Sequence, residues 1–234
     1  MNYQGIVFDK DGTLLDFNKT WLPVYKIAAM KISGNDSGLA DELLHQHGFQ
    51  PDLQRFIGGS LLAAGNNHEI AEAWAVQCGK VDQTEKFSIE LNQIFQEEGA
   101  KKSTPVHKLA PTLKTLKSMG FVMGVATADS YQGILNTLNA FDVLDQFDFL
   151  AGYDSGYGVK PGGGMVTAFC RHSNLPPEKI IVVGDNRHDI EMGKNANAGL
   201  CIGVLTGTSS RVELETIADL VLNNISELPA YLSQ

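Results

Sequence analysis

The stretch Gly5-Ile6-Val7-Phe8-Asp9-Lys10-Asp11-Gly12-Thr13-Leu14 constrains this chain more than any other. A short apolar run of β-forming residues ends in two carboxylates one residue apart, and a Gly-Thr turn follows at once. The run reads as a buried strand. Its carboxylates then stand at the strand's carboxyl end, the edge where open α/β sheets bind ligands. Two like charges this close repel, and either resists ionising unless a cation or hydrogen-bond donors compensate. Taken alone, the same letters also describe a plain Asp-Gly turn, so the rest of the chain has to decide between the two.

After Thr13 the pattern turns helical. Trp21, Leu22, Tyr25, Ile27, Ala28 and Met30 recur at helical spacing over 17–33, with Asn18 or Thr20 as the expected cap and Pro23 in the first turn. Segments 41–47, 61–64, 67–77 and 82–98 also read as helices, and Arg55-Phe56-Ile57-Gly58-Gly59-Ser60 interrupts them. No alternating strand pattern occurs across them, so an all-helical, lid-like insertion is expected over 17–103, hinged at 15–18 and 99–105. From Leu109 onward strands and helices alternate. Helices are expected at 111–119, 130–140, 164–173 and 190–195, and strands at 121–126, 147–151, 180–184, 199–204 and 220–222, with a last helix from Ser226. Such alternation predicts a three-layer α/β core with a parallel, Rossmann-like sheet, built from 1–16 and 104–234.

A length of 234 residues suits such a core plus one smaller domain. The formal net charge of −9, with no Lys/Arg run, argues against a nucleic-acid backbone as partner. It leaves room for an anionic small substrate, because a local cation or metal outweighs a distant negative surface. Cys78, Cys170 and Cys201 are an odd number without metal-ligand spacing, as expected of buried free thiols in a reducing cytoplasm. The sequence shows no signal-peptide pattern, and no apolar run approaches the roughly 18 residues of a membrane helix.

Four chemistry-bearing segments fall at the same edge of the expected sheet. The first strand ends Asp9-Lys10-Asp11, the next core strand ends at Thr127, and the most apolar strand runs into Gly184-Asp185-Asn186-Arg187-His188-Asp189. A loop carries Lys160-Pro161-Gly162-Gly163-Gly164 at a helix start. Four carboxylates in one crevice imply a hard divalent cation, and Mg²⁺ suits few protein ligands combined with water and phosphate oxygens. Thr127 and Lys160 supply a hydroxyl donor and a point positive charge for a phosphate.

Taken together, these segments resemble the haloacid dehalogenase superfamily, in its phosphoglycolate-phosphatase-like branch with a helical cap. Asp9-x-Asp11-Gly12-Thr13 resembles the first motif, Thr127 the second, Lys160 the third and Gly184-Asp185-x-x-x-Asp189 the fourth, in the family's order. The branch resemblance rests on the insertion, on Arg55-Phe56-Ile57-Gly58 and on Gly203-Val204 and Gly207. The resemblance implies a Mg²⁺-dependent phosphomonoester hydrolase. Asp9 would be the nucleophile that becomes an aspartyl-phosphate, and Asp11 the acid and then the base. The metal would bind Asp9, the Asp11 backbone carbonyl and Asp185, while Asp189 would hold the metal's water shell or Lys160. Thr127, the Ala128 N–H and Lys160 would bind the phosphoryl group. The substrate would be a small phosphorylated metabolite, of which phosphoglycolate is the branch's example. Arg55 with Gly58 and Gly59 reads either as the insertion's substrate-reading loop or as a plain interhelical turn. A sugar phosphomutase is the nearest alternative. A phospho-acceptor signalling or binding module is one of another class, disfavoured by Asp11 and the insertion.

Two departures accompany the resemblance. The second motif is often Thr-Asn, whereas here Ala128 and Asp129 follow Thr127, and Asp129 is expected to cap the next helix. Lys10 stands where an apolar residue is common, and strand alternation is expected to point its side chain away from Asp9 and Asp11. The remaining candidates carry structural readings. His188 is a surface loop residue, and His45 and His47 sit near a helix end. Gly162–Gly164 turn the backbone into a helix without a Walker pattern. Trp21, Tyr25 and Trp74 pack the insertion.

Overall fold

The run Gly5–Phe8 is a fully buried strand, β1, in the computed structural model, which describes residues 3–233. Beyond it the chain divides into two units. One contains the chain up to Asp16 and from Pro105 onward, and the other is Phe17–Thr104.

The Phe17–Thr104 unit carries α1 (Phe17–Ile32), α2 (Ser37–Gln46), β2 (Phe49–Gln50), β3 (Arg55–Phe56), α3 (Leu61–Ala64), α4 (Asn67–Gln77) and α5 (Thr84–Lys102). Its helices start where short polar side chains satisfy free N–H groups. Asp36 accepts from the Leu39 N–H at 3.1 Å, and Asn66 forms a reciprocal capping box with Glu69 at the head of α4. Phe87, Leu91 and Phe95 recur every fourth residue along α5 and meet Val24, Ala28 and Ile32 of α1, Leu43 of α2 and the fully buried Trp74 of α4. Each such side chain contributes on the order of 1.5–3 kcal/mol by leaving water. Tyr25 sits among the rings of Trp21, Phe56 and Phe95, and its hydroxyl donates to the Leu62 carbonyl at 2.8 Å.

Two expectations for this segment are corrected. The insertion is not wholly helical, because β2 and β3 pair antiparallel, Phe49 with Phe56 and Gln50 with Arg55. In addition, α1 begins at Phe17, so Asn18 and Thr20 lie inside it and Pro23 falls in its second turn. Their side chains serve other backbone groups of the same unit: Asn18 Oδ1 accepts from the Phe56 N–H and Thr20 Oγ1 from the Thr104 N–H, each at 3.0 Å.

The other unit continues from β1 with α6 (Leu109–Ser118), β4 (Val122–Ala126), α7 (Tyr131–Ala140), β5 (Phe149–Ala151), α8 (Gly164–Ser173), β6 (Ile180–Gly184) and α9 (Arg187–Asn195). It closes with β7 (Leu200–Val204), α10 (Arg211–Glu215), β8 (Leu220–Leu222) and α11 (Leu228–Leu232). The strands form one parallel sheet in the order β5-β4-β1-β6-β7-β8. Period-two alternation divides their side chains between two faces. Ile6, Phe8, Met123, Val125, Ile181, Val183 and Ile202 pack with Leu113, Ile134, Leu138 and Leu228 on one face. Val7, Val182 and Cys201 pack with Val166, Phe169, Ile190 and Leu214 on the other. Burial on both faces accounts for the nearly continuous apolar strands. The result is the expected three-layer α/β core.

The chain winds outward from β1 through β4 to β5, then crosses back and winds outward through β6, β7 and β8. That reversal leaves a crevice beside the carboxyl end of β1, where doubly wound sheets bind ligands. Among the described residues no helix is long and apolar enough to cross a membrane. The three thiols are free, with Cys170 and Cys201 buried.

Candidate active site

The β1 ladder ends at Phe8, and Asp9 continues it by donating its N–H to the Val183 carbonyl of β6 at 2.9 Å. Its side chain is buried, and one oxygen, Oδ1, accepts from Lys160 Nζ at 2.6 Å. The same ammonium donates to Asp189 Oδ1 at 2.6 Å. Lys160 therefore bridges the end of β1 to α9, and the Asn195 amide, donating to the Pro161 carbonyl at 2.8 Å, ties its loop to the same helix. The other oxygen of Asp9, Oδ2, is buried without a hydrogen-bond partner among the described residues.

Asp185 and Asp189 are placed by a local device. Asn186 caps α9 by accepting from the His188 and Asp189 N–H groups at 2.9 and 3.3 Å. In return, Asp189 Oδ2 accepts from the Asn186 N–H at 3.2 Å and the Asp185 N–H at 3.1 Å. A reciprocal capping box thus aims a fully buried carboxylate into the crevice. Asp185 Oδ2 accepts from the Thr208 N–H at 2.9 Å, in the loop after β7. The same loop is latched to the first motif by the Thr206 hydroxyl, which donates to the Gly12 carbonyl at 2.6 Å. Gly207 is required there, because a Cβ would collide with the Asp185 carboxylate.

Carboxylate oxygens of Asp9, Asp185 and Asp189 lie within 4.8 Å of one another, all buried. One ammonium faces three carboxylates, and two negative charges are in surplus. Burial, with the neighbouring carboxylates adding to it, pushes Asp9 up to about 7 against the pull of Lys160. It likewise holds Asp185 well above the usual carboxylate range, with Asp189 and Asp9 adding to the effect. Lys160 is pulled the other way: burial disfavours its charge, but Asp189 and Asp9 outweigh this and keep it protonated beyond its ordinary range. A surplus of buried hard oxygens, one of them unpartnered, fits a hard divalent cation.

Thr127 follows β4, one strand from β1, with its N–H on the Ala151 carbonyl at 3.0 Å. Its hydroxyl oxygen accepts from the Asp129 N–H at 3.2 Å, and Ala128 between them is exposed. Asp11 is half-buried and pairs with Lys10. Arg55 and Gly58 belong to the Phe17–Thr104 unit. Arg55 is exposed on β3 with its Nε on Gln50 Oε1 at 3.4 Å, and Gly58 lies in the turn after that strand. His188 is exposed at the head of α9, and His47 directs Nδ1 at the Leu43 carbonyl, 2.8 Å away, beyond the end of α2.

The geometry departs from expectation at Lys10 and Asp129. Strand alternation stops with the ladder at Phe8, so it does not govern Lys10. Its ammonium instead turns to Asp11 Oδ2 at 2.6 Å and Asp129 Oδ2 at 3.1 Å. Asp129 does not cap α7. Ser130 does, its side chain accepting from the Gly133 N–H. The helix expected at 190–195 starts at Arg187, and its cap Asn186 was missed although the Asn-x-x-Asp spacing could have marked it, whereas the Thr208 contact joins segments 23 residues apart and has no local signal.

Fold and site together define an α/β enzyme with a buried carboxylate–lysine centre at the carboxyl edge of its sheet. The chain belongs to the haloacid dehalogenase-like hydrolases, whose family profile matches residues 3–197. It is an enzyme of their phosphatase class. It is 26% identical to "Pyrophosphatase PpaX" of Bacillus mycoides over 100% of this chain and 99% of that protein. It is also 26% identical to "Phosphoglycolate phosphatase" of Mannheimia succiniciproducens over 95% of each chain. The crystal structure of a predicted phosphoglycolate phosphatase from Haemophilus somnus 129pt shares the fold, with a TM-score of 0.77 and 20% identity over 100% of this chain and 99% of that one.

Proposed function

We propose that this protein is a Mg²⁺-dependent phosphomonoester hydrolase that acts on a small phosphorylated metabolite through an aspartyl-phosphate on Asp9. The observation that carries the reading is the Asp9 carboxylate, with one oxygen on Lys160 and the other buried without a partner. Such a group is held in place yet left incomplete, which suits a nucleophile and metal ligand.

Asp9, Asp185 and the backbone carbonyl of Asp11 would hold the metal, with Asp189 committed to Lys160 and to two backbone N–H groups. Bound there, Mg²⁺ offsets the surplus negative charge and the charge developing on the phosphoryl oxygens. A carboxylate oxygen of Asp9 attacks phosphorus. As that O–P bond forms, the ester P–O bond breaks and Asp11 gives its proton to the leaving alkoxide. Asp11, now a carboxylate, takes a proton from water as the water oxygen attacks phosphorus and the Asp9–phosphorus link breaks. Inorganic phosphate leaves and Asp9 is restored. Through both steps Lys160, the Thr127 hydroxyl and the Ala128 N–H steady the phosphoryl oxygens. Arg55 and Gly58 keep the proposed role of reading the substrate, which Arg55→Ala tests through KM.

Hydrolysis of p-nitrophenyl phosphate and a panel of esters, with and without Mg²⁺, tests this reading in wild type and Asp9→Asn. The panel includes phosphoglycolate and, because one relative is named a pyrophosphatase, inorganic pyrophosphate. Wild type is expected to need Mg²⁺, and Asp9→Asn to lose at least about 10³-fold in kcat/KM. Equal rates in the two proteins, or a wild type inert toward the whole panel, would contradict the reading. Isomerisation of a sugar phosphate without phosphate release would replace it with a mutase.

A further inference from the structure

Lys10 is 2% exposed, yet it carries an ammonium that burial disfavours. Two carboxylates hold it: Asp11 Oδ2 at 2.6 Å and Asp129 Oδ2 at 3.1 Å. A buried ammonium persists where such partners surround it.

Both ends of this bridge are anchored. The Lys10 carbonyl accepts from the Leu14 and Leu15 N–H groups at 2.9 and 3.0 Å, fixing the backbone turn after β1. Asp129 is fixed at the corner between β4 and α7 by three contacts. Its Oδ1 accepts from the Ser130 N–H at 2.7 Å, its N–H donates to Thr127 Oγ1 at 3.2 Å, and its carbonyl accepts from the Tyr153 N–H at 3.0 Å. Thr127, Asp129, Lys10 and Asp11 thus form one continuous chain of polar contacts between two strand ends. An apolar residue at position 10 would fill the same buried space without a charge to balance.

We propose that Lys10 and Asp129 are a positioning pair for Asp11, with the Lys10 ammonium holding one Asp11 oxygen against the rigid β4–α7 corner so that the carboxyl stays aimed at the leaving oxygen. This rests on the reading of Asp11 as the group that protonates the leaving alkoxide. Neither Lys10 nor Asp129 touches substrate in this scheme.

The consequence depends on the leaving group. An alkoxide must take the Asp11 proton as the P–O bond breaks, whereas p-nitrophenolate departs with little help. The kcat/KM, which covers steps through formation of the Asp9–phosphorus bond, therefore separates a misaimed Asp11 from a generally disturbed fold.

The experiment measures kcat/KM with Mg²⁺ for an alkyl phosphate and for p-nitrophenyl phosphate in Asp129→Asn, Lys10→Met, Lys10→Arg and Asp11→Asn. Calorimetric Mg²⁺ titration and circular dichroism accompany each variant. General acid catalysis contributes about 10²–10⁴-fold, so Asp11→Asn is expected to lose about 10²-fold or more on the alkyl ester and far less on the aryl ester. Asp129→Asn is expected to lose about tenfold on the alkyl ester, part of that same contribution, and under about threefold on the aryl ester. Its Mg²⁺ affinity should stay within about twofold of wild type, as a pair serving Asp11 rather than the metal predicts. Lys10→Arg should recover part of what Lys10→Met loses on the alkyl ester. If Lys10→Met fails to fold, Asp129→Asn decides alone.

Equal losses on the two esters, no loss on either, or a fall in Mg²⁺ affinity for Asp129→Asn would overturn the pair's role. If Asp11→Asn shows the leaving-group dependence and Asp129→Asn does not, positioning fails while the reading of Asp11 stands. If Asp11→Asn itself lacks the dependence, both fall.

Discussion

In the proposed reaction Asp9 concentrates the chemistry of the site in one side chain. Burial raises its carboxyl from the ordinary 3.8 to about 7. Between those values the folded, metal-free protein binds a proton that the unfolded chain has already released, so stability falls as pH rises through this window. A bound cation must displace that proton, so its apparent affinity should climb as pH rises through this window. Thermal melts from pH 5 to 8 should show the metal-free protein losing stability, with Mg²⁺ restoring more of it at pH 8 than at pH 5. A Mg²⁺ effect that is flat with pH would contradict this account of Asp9. At this scale the sequence was informative where residue type implies chemistry, as for carboxylates at strand ends. It misled where local geometry had to be assumed. The side-chain direction of Lys10 came from an alternation that ends at Phe8, and Asp129 was read as a cap when its neighbour Ser130 fills that role.

The α9 helix shows how an element start becomes part of a site. Its capping box satisfies the N–H groups of the first turn and, with the same bonds, orients Asp189 toward Lys160. Asn186→Ala should cost about 1 kcal/mol of stability, as lost caps do. It should also lower kcat/KM, whereas Asn186→Ser should recover most of both. Chemical denaturation and steady-state rates check the pair, and a stability loss with no kinetic effect would separate the cap from the site. Long periodic elements such as α5 and the apolar strands were legible, because several turns or residues repeat one pattern. The two-residue strands β2 and β3 were not, being too short to show an alternation, and the five-residue α10 was passed over as well. The contact from Thr208 to Asp185 was also out of reach, since nothing local marks a loop backbone that must meet a distant carboxylate.

The two units hold separate apolar clusters. Leu43 belongs to the cluster of the Phe17–Thr104 unit, together with Trp74, while the three carboxylates that could hold a metal, Asp9, Asp185 and Asp189, belong to the other unit. Both tryptophans lie in the Phe17–Thr104 unit, so tryptophan fluorescence reports that unit alone. Leu43→Ala, emptying a fully buried site, should destabilise this unit by about 2–5 kcal/mol. Its fluorescence midpoint should fall while Mg²⁺ affinity at 25 °C is kept. Loss of metal binding alongside the fluorescence change would contradict independent cores.

In the proposed reaction Asp9 carries the phosphoryl group between its departure from the substrate and its release as phosphate. The most direct measurement is acid quenching during turnover with Mg²⁺, followed by digestion and mass spectrometry of the peptide that contains Asp9. A phosphorylated Asp9 that appears with substrate, decays as substrate is exhausted and is absent from Asp9→Asn is the predicted result. Turnover with no phosphorylated peptide at any quench time, or with the phosphoryl group on another residue, would contradict it.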